Sequence, residues 1–194
     1  MYLFFDTSAN GAPKNWKAPI NDPFNWPRMI HLSWLLYNED RELIDSRNDI
    51  IKPKGFTIND EIKRKHHLSQ ATALETGIDI KQALLPFAEA IKKAKYIISF
   101  NQTLNNGVVG SELYRASINH NLPDSNNYCL MEEATWFCKI PKEGPGYQWP
   151  SLQEIHKKIY GAEFESAGEA QADVSVVSLS FFHLLDLEAI EIFD

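Results

Sequence analysis

Asp6 and Asp173 are two of the chain's 26 acidic residues, each set where an element begins or ends. The first closes the apolar run Tyr2-Leu3-Phe4-Phe5, and the second lies in the long amphipathic stretch 169–185. A carboxylate that ends a strand ordinarily caps the following turn, and one on an amphipathic helix is ordinarily solvated. Brought together, the two would offer the hard oxygen ligands that Mg2+ and Mn2+ select. His66 and His67 are adjacent. Neighbouring side chains diverge on a helix and alternate on a strand, so this pair is a poor chelate and reads as surface or turn. Cys129 and Cys138 are too few for a disulfide framework and fit reduced thiols. Trp16, Trp26, Tyr147 and Trp149 occupy two long loops. Such aromatics can stack bases at roughly 1–3 kcal/mol each, although loop aromatics more often pack onto their own domain.

The composition bounds what these residues can serve. A chain of 194 residues, 44% hydrophobic and 23% charged, fits one sizeable domain with a buried core. A net charge of −7 excludes general electrostatic attraction to nucleic acid, though not a grip on a few terminal nucleotides. No apolar run approaches the roughly 20 residues of a membrane span. The first residues lack the basic start and cleavage site of a secretory signal, so the expectation is a cytoplasmic protein without membrane contact.

The elements that must position these groups follow from periodicity and turn chemistry. Residues 2–6 read as a buried strand and 8–15 as loop. Residues 28–37 and 42–52 read as a hairpin turning at 38–41. Residues 59–66 suggest a short helix, and 80–94 a longer one with Leu84, Leu85, Phe87, Ala88 and Ile91 near the 3.6-residue period. A brief strand at 96–100 precedes a helix over 104–118, despite Gly107 and Gly110, and a strand at 127–130 follows. Ser151 with Glu154 three residues on forms a capping box for a helix reaching about Tyr160. The last helix spans 169–185. Three strands, then helices and strands in alternation, specify an α/β fold with a mixed sheet and helices packed on it. The loops 10–27 and 139–150 are placed to flank a site rather than to divide domains.

In this order of elements three polar clusters fall into place. Asp6-Thr7-Ser8-Ala9-Asn10-Gly11 follows the first strand, Asn101-Gln102-Thr103-Leu104-Asn105 follows a middle strand, and Gly168-Glu169-Ala170-Gln171-Ala172-Asp173 opens the last helix. Together they resemble the DEDDh 3′–5′ exonucleases, a family that includes bacterial proofreading subunits and ribonuclease T. Its motifs run Asp-x-Glu-Thr-Thr-Gly, His-Asn-x-x-Phe-Asp and His-x-Ala-x-x-Asp. Pro150-Ser151-Leu152 with Ile155 and Tyr160-Gly161 is similar to the family's helix before the third motif. The resemblance implies a ribonuclease H-like, five-stranded mixed sheet flanked by helices over residues 1–185, followed by a tail at 186–194.

The resemblance also implies a site. In this family four carboxylates hold two Mg2+ or Mn2+ ions about the terminal phosphodiester, and a His takes the proton of the attacking water. Asp6 and Asp173 stand at the first and last carboxylate positions. Ser8 stands in place of Glu, Asn105 in place of Asp, and Gly168 in place of His. With two charges and the base gone, the expected cofactor is at most one weakly held Mg2+ or Mn2+. Glu165 and Glu169 flank Gly168, but a carboxylate at a helix start is ordinarily there for the helix dipole. Ala9, Asn10 and Asn101 would face the substrate's 3′ end, with Asn101 equally suited to capping its loop. The expected function is binding of a nucleic-acid 3′ end or a nucleotide, with catalysis lost or severely reduced. The alternatives are a residually active metal-dependent 3′–5′ exonuclease on DNA or RNA, and a protein-interaction module with a vestigial cleft and an acidic-apolar tail as contact.

Overall fold

The computed structural model describes residues 1–192, so Phe193 and Asp194 of the expected tail lie outside it. Three strands come first: β1 (Tyr2–Ala9), β2 (Met29–Tyr37) and β3 (Leu43–Ile50). Helices α1 (Asp60–His66), α2 (Gln70–Thr76) and α3 (Ile80–Lys93) precede β4 (Tyr96–Ser99). Then come α4 (Gln102–Ala116), β5 (Asn126–Cys129), the short α5 (Leu130–Glu133) and α6 (Thr135–Cys138), α7 (Leu152–Tyr160) and α8 (Ala170–Asp186). The sheet order is β3-β2-β1-β4-β5, with β1 antiparallel to β2 and parallel to β4. This is the mixed five-stranded sheet expected from the sequence.

β1 sits at the centre because both of its faces are apolar. Leu3 and Phe5 pack with Leu84, Phe87, Val108 and Val109 of α3 and α4, while Phe4 packs with Val174, Val177 and Phe181 of α8. Alternation along the strand therefore assigns one layer of helices to each face. β3 carries Asp45, Arg47 and Asp49 on an exposed edge, a charge pattern that discourages further strand pairing. A third cluster, Ile30, Ile58, Ile62, Leu68 and Ala73, anchors α1 and α2 near one end of β2.

Several details go beyond the sequence reading, among them the short helices α5 and α6, which were not expected. β1 runs on through Thr7 and Ser8 to Ala9, where loop was expected, because both polar side chains are buried. Helix α2 was not expected; Ala73 is its one buried residue, so it lacks the apolar stripe that periodicity detects. Gly107 and Gly110 do not weaken α4 but let the 10–27 loop dock on it. A Cβ at Gly107 would lie 2.3 Å from the Trp26 indole, and one at Gly110 would lie 3.0 Å from Ile20. Beyond α8, Ile190 is buried and Ala189 and Ile192 pack on the same cluster, so the described part of the tail is docked. No helix among the described residues is long and apolar enough to cross a membrane.

Candidate functional site

The site forms where β1 passes between the first turns of α4 and α8. Asp6 and Ser8 are two residues apart on β1 and share a face, opposite Ser33 and His31 of β2. The ladder shifts register between Ser8 and Ala9, and such a bulge re-aims the side chains beside it. Asn101 caps α4 by accepting from Leu104 N at 3.2 Å, which sets the helix so that Asn105 reaches β1. The Asn105 side-chain oxygen then accepts from Thr7 N at 2.8 Å and Thr7 Oγ1 at 2.7 Å, and its nitrogen donates to Asp6 Oδ1 at 3.1 Å. Thr7, which sequence reasoning passed over, thus fixes the amide's orientation.

From the other side, the backbone N–H of Gly168 donates to both oxygens of Asp173 at 3.1 Å. Asp173 is close enough that its charge helps raise Asp6. Burial is the larger cause, and together they push the Asp6 carboxyl from the usual 3.8 to about 8. Burial likewise lifts Asp173 to about 6, aided by Glu169 and opposed by the Gly168 N–H. The structure therefore brings together Asp6, Asn105, Asp173 and Gly168. Ser8 is fully buried beside them, and its hydroxyl finds no partner among the described residues.

Two histidines join this end of the sheet. His31 is buried on β2, and its Nε2 pairs with Asn48 Oδ1 at 2.7 Å; Asn48 in turn donates to Gln171 of α8 at 3.0 Å. Burial draws the His31 imidazole below its usual range, against an opposing pull from Asn48 and Glu169. His66 corrects the surface reading made from its sequence neighbour. It is half-buried, and its Nδ1 meets the carbonyl of Gly168 at 3.1 Å. His67 is the left-handed cap of α1 and is exposed. No sequence signal ties residue 66 to residue 168, because the contact depends on how α1 docks.

The remaining expected residues make their contacts elsewhere. Ala9 is buried, and Asn10 donates to Thr57 O at 3.1 Å while its own side-chain oxygen is buried without a partner among the described residues. Trp26 is buried and donates to Pro19 O at 2.8 Å, whereas Trp16 and Trp149 are 51% and 63% exposed. Tyr147 packs edge-on against the exposed Trp136. Among the described residues no group of three His, Cys, Asp or Glu side chains is arranged to hold a metal ion.

No protein-family model matches the sequence, and neither does any curated protein. The fold, in contrast, is shared with solved exonucleases. The chain is similar to E. coli exonuclease I in complex with a dT13 oligonucleotide, with 16% identity, a TM-score of 0.72 and 94% of this chain covered. A zinc-bound form of the E. coli exonuclease I–single-stranded DNA complex gives 16% identity, a TM-score of 0.73 and 96% of this chain covered. An exonuclease I complex with an SSB C-terminal segment gives 14% identity, a TM-score of 0.71 and 95% coverage. The chain spans only about two-fifths of the length of these proteins, 40%, 40% and 41% in turn. The architecture is therefore the α/β, ribonuclease H-like fold of the exonucleases.

Proposed function

We propose that this chain is an exonuclease-fold domain that holds a nucleic-acid 3′ end or a nucleotide against Asp6 and Asp173, with hydrolysis lost or severely reduced. The observation that carries the reading is the hydrogen bond from the Asn105 amide to Asp6. Where the DEDDh resemblance implies a carboxylate, a neutral amide donates to the carboxylate that remains. Ser8 removes a further charge beside it. Two cations facing only two carboxylates would leave positive charge uncompensated in a buried pocket, and that disfavours the second ion.

One Mg2+ or Mn2+ fits better. Asp6 and Asp173 repel each other in the pocket, and the unpartnered Ser8 oxygen adds a neutral ligand on the same face. Such an ion, when bound, would offset phosphate charge and lower the pKa of an attached water. Asn10 and Asn101 would line the approach for a terminal nucleotide, whereas the Ala9 side chain is buried in the core and could offer only its backbone. That exonuclease I is solved with single-stranded oligonucleotides supports this ligand class for the shared fold. Lys63, Arg64 and Lys65 in the last turn of α1 supply local positive charge to an otherwise acidic protein.

The test is fluorescence anisotropy with single-stranded DNA and RNA oligonucleotides, carrying a free or a blocked 3′ end, with and without Mn2+. Weak, salt-sensitive binding that prefers the free end and weakens in Asp6→Asn is expected. Rapid, Asp6-dependent release of mononucleotides by the unaltered protein would refute the loss of catalysis. An absence of binding at low salt would remove the ligand class.

A further inference from the structure

We infer that His66, carried in from α1, takes the place of the imidazole missing at position 168 and is the proton acceptor of this site. The inference rests on the reading of Asp6 and Asp173 as the binding pocket.

Gly168 has φ +95, and a Cβ built there would lie 2.5 Å from the carbonyl oxygen of Lys65. A side chain is therefore excluded at 168 both by backbone conformation and by the last turn of α1. What displaces it also supplies the substitute. The residue after Lys65 is His66, whose Nδ1 meets Gly168 O at 3.1 Å, while Gly168 N holds both oxygens of Asp173. A single residue's backbone thus joins the imidazole to the carboxylate. Helix α1 is a firm mount. Asn59 caps it through Ile62 N at 2.9 Å, and Ile62 is buried in the cluster with Ile30 and Leu68.

The bonding also fixes the tautomer. A carbonyl only accepts, so Nδ1 carries the hydrogen and Nε2 keeps its lone pair. Nε2 has no hydrogen-bond partner among the described residues. Burial, the larger cause, and the nearby cation of Lys65 hold the ring below its usual range, which keeps it neutral near pH 7. In hydrolysis a water oxygen would bond to the phosphorus of the terminal phosphodiester as its proton passes to His66 Nε2. The P–O3′ bond breaks, the 3′ oxygen of the shortened strand takes a proton from solvent, and a nucleoside 5′-monophosphate leaves. On this account the site lacks two carboxylates but not its base.

Restoring the charges alone should therefore suffice. The Ser8→Glu/Asn105→Asp variant is expected to release mononucleotides from a labelled oligonucleotide in Mn2+. Adding His66→Gln should then lower kcat by roughly 10²–10⁴-fold with KM unchanged. Adding Gly168→His should give no gain. A kcat indifferent to His66→Gln, or a double variant that binds two Mn2+ and stays inactive, overturns the inference. The unaltered protein gives a readout without turnover, by paramagnetic broadening of assigned histidine-ring and aspartate resonances on Mn2+ addition. His66 should broaden at lower Mn2+ and far more strongly than His183, which lies ten residues along α8 from Asp173 and so about 15 Å away. Broadening at Asp173 but not at His66 overturns this inference and leaves the proposed function standing. Broadening at neither Asp6 nor Asp173 overturns both.

Discussion

The Asn105 amide nitrogen lies 3.1 Å from Asp6 Oδ1, while the oxygen of the same amide is held by the N–H and hydroxyl of Thr7. Thr7 leaves the amide one orientation, so its donor must face the carboxylate. Asn105→Asp keeps both Thr7 bonds and replaces the donor with a repelling oxygen. Above about pH 8, where Asp6 is ionised, losing a hydrogen bond to a charged group costs about 1.5–3 kcal/mol, which for a chain of this size lowers Tm by roughly 3–12 °C. Added Mn2+ should return most of that loss, because a cation now has a third carboxylate. Calorimetry of the variant with and without Mn2+ checks this, and an unchanged Tm in its absence would count against the arrangement.

Asp6 makes stability depend on pH with a definite sign. Its carboxyl titrates near 3.8 when unfolded and about 8 in the fold. Between these values the folded chain keeps a proton that the unfolded chain has lost, so the contribution is fully present below about 4 and drains away as pH rises through 8. Asp173, at about 6, adds the same sign over the lower part of that window. Asp6→Asn, which still accepts from Asn105, should flatten the decline and exceed the parent's Tm at pH 9 by roughly 4 °C or more. Mn2+ competes with the same protons, so it should stabilise the parent at pH 8.5 and do little at pH 5. Tm measured across pH 4–9 decides; parallel curves for the two proteins would refute the buried charge.

Gly168→Ala tests the approach of α1 without touching a carboxylate. The new methyl needs φ near +95 and meets the Lys65 carbonyl, so a loss of about 2 kcal/mol or more is expected. The His66 ring resonances should shift as its carbonyl partner moves. Urea titration followed by NMR gives both numbers. A variant as stable as the parent would mean that α1 and the 168 turn are not in fixed contact.

Much of the fold was legible because local chemistry and global packing agree. The capping box of Ser151 and Glu154 is formed as the spacing predicts, and the alternation of Leu3, Phe4 and Phe5 places a helical layer on each side of β1. Asp6, Asn105, Gly168 and Asp173 were findable through motif order, although none of their local sequences would single them out. What escaped was set by tertiary contact. Thr7 and Ser8 resemble loop residues until their burial is known. His31 is an ordinary histidine in a strand until its register opposite Ser8 is fixed. His66 bonds a residue 102 positions away, across a docking that no period in the sequence encodes.

The loop that carries Asn10 and Trp26 is tied to α4 through one buried carboxylate. Glu112 is 1% exposed, bonds Arg28 at 2.7 Å and Arg115 at 3.0 Å, and accepts from Met29 N at 3.1 Å. Arg115 also donates to the carbonyls of Pro23 and Trp26. Glu112→Gln removes the carboxylate with which both guanidinium groups pair. Breaking a buried ion pair costs about 3–5 kcal/mol, and the low end applies because the two arginine side chains keep 34% and 21% of their exposure. With the clamp loosened, Trp26 should shed its bond to Pro19 and its seat on Gly107, and its emission should shift to the red. If the loop shapes the approach to Asp6, oligonucleotide affinity should fall in step with that shift, even at temperatures where the variant remains folded. Undiminished affinity alongside a red-shifted Trp26 would mean that this loop does not shape the approach to Asp6.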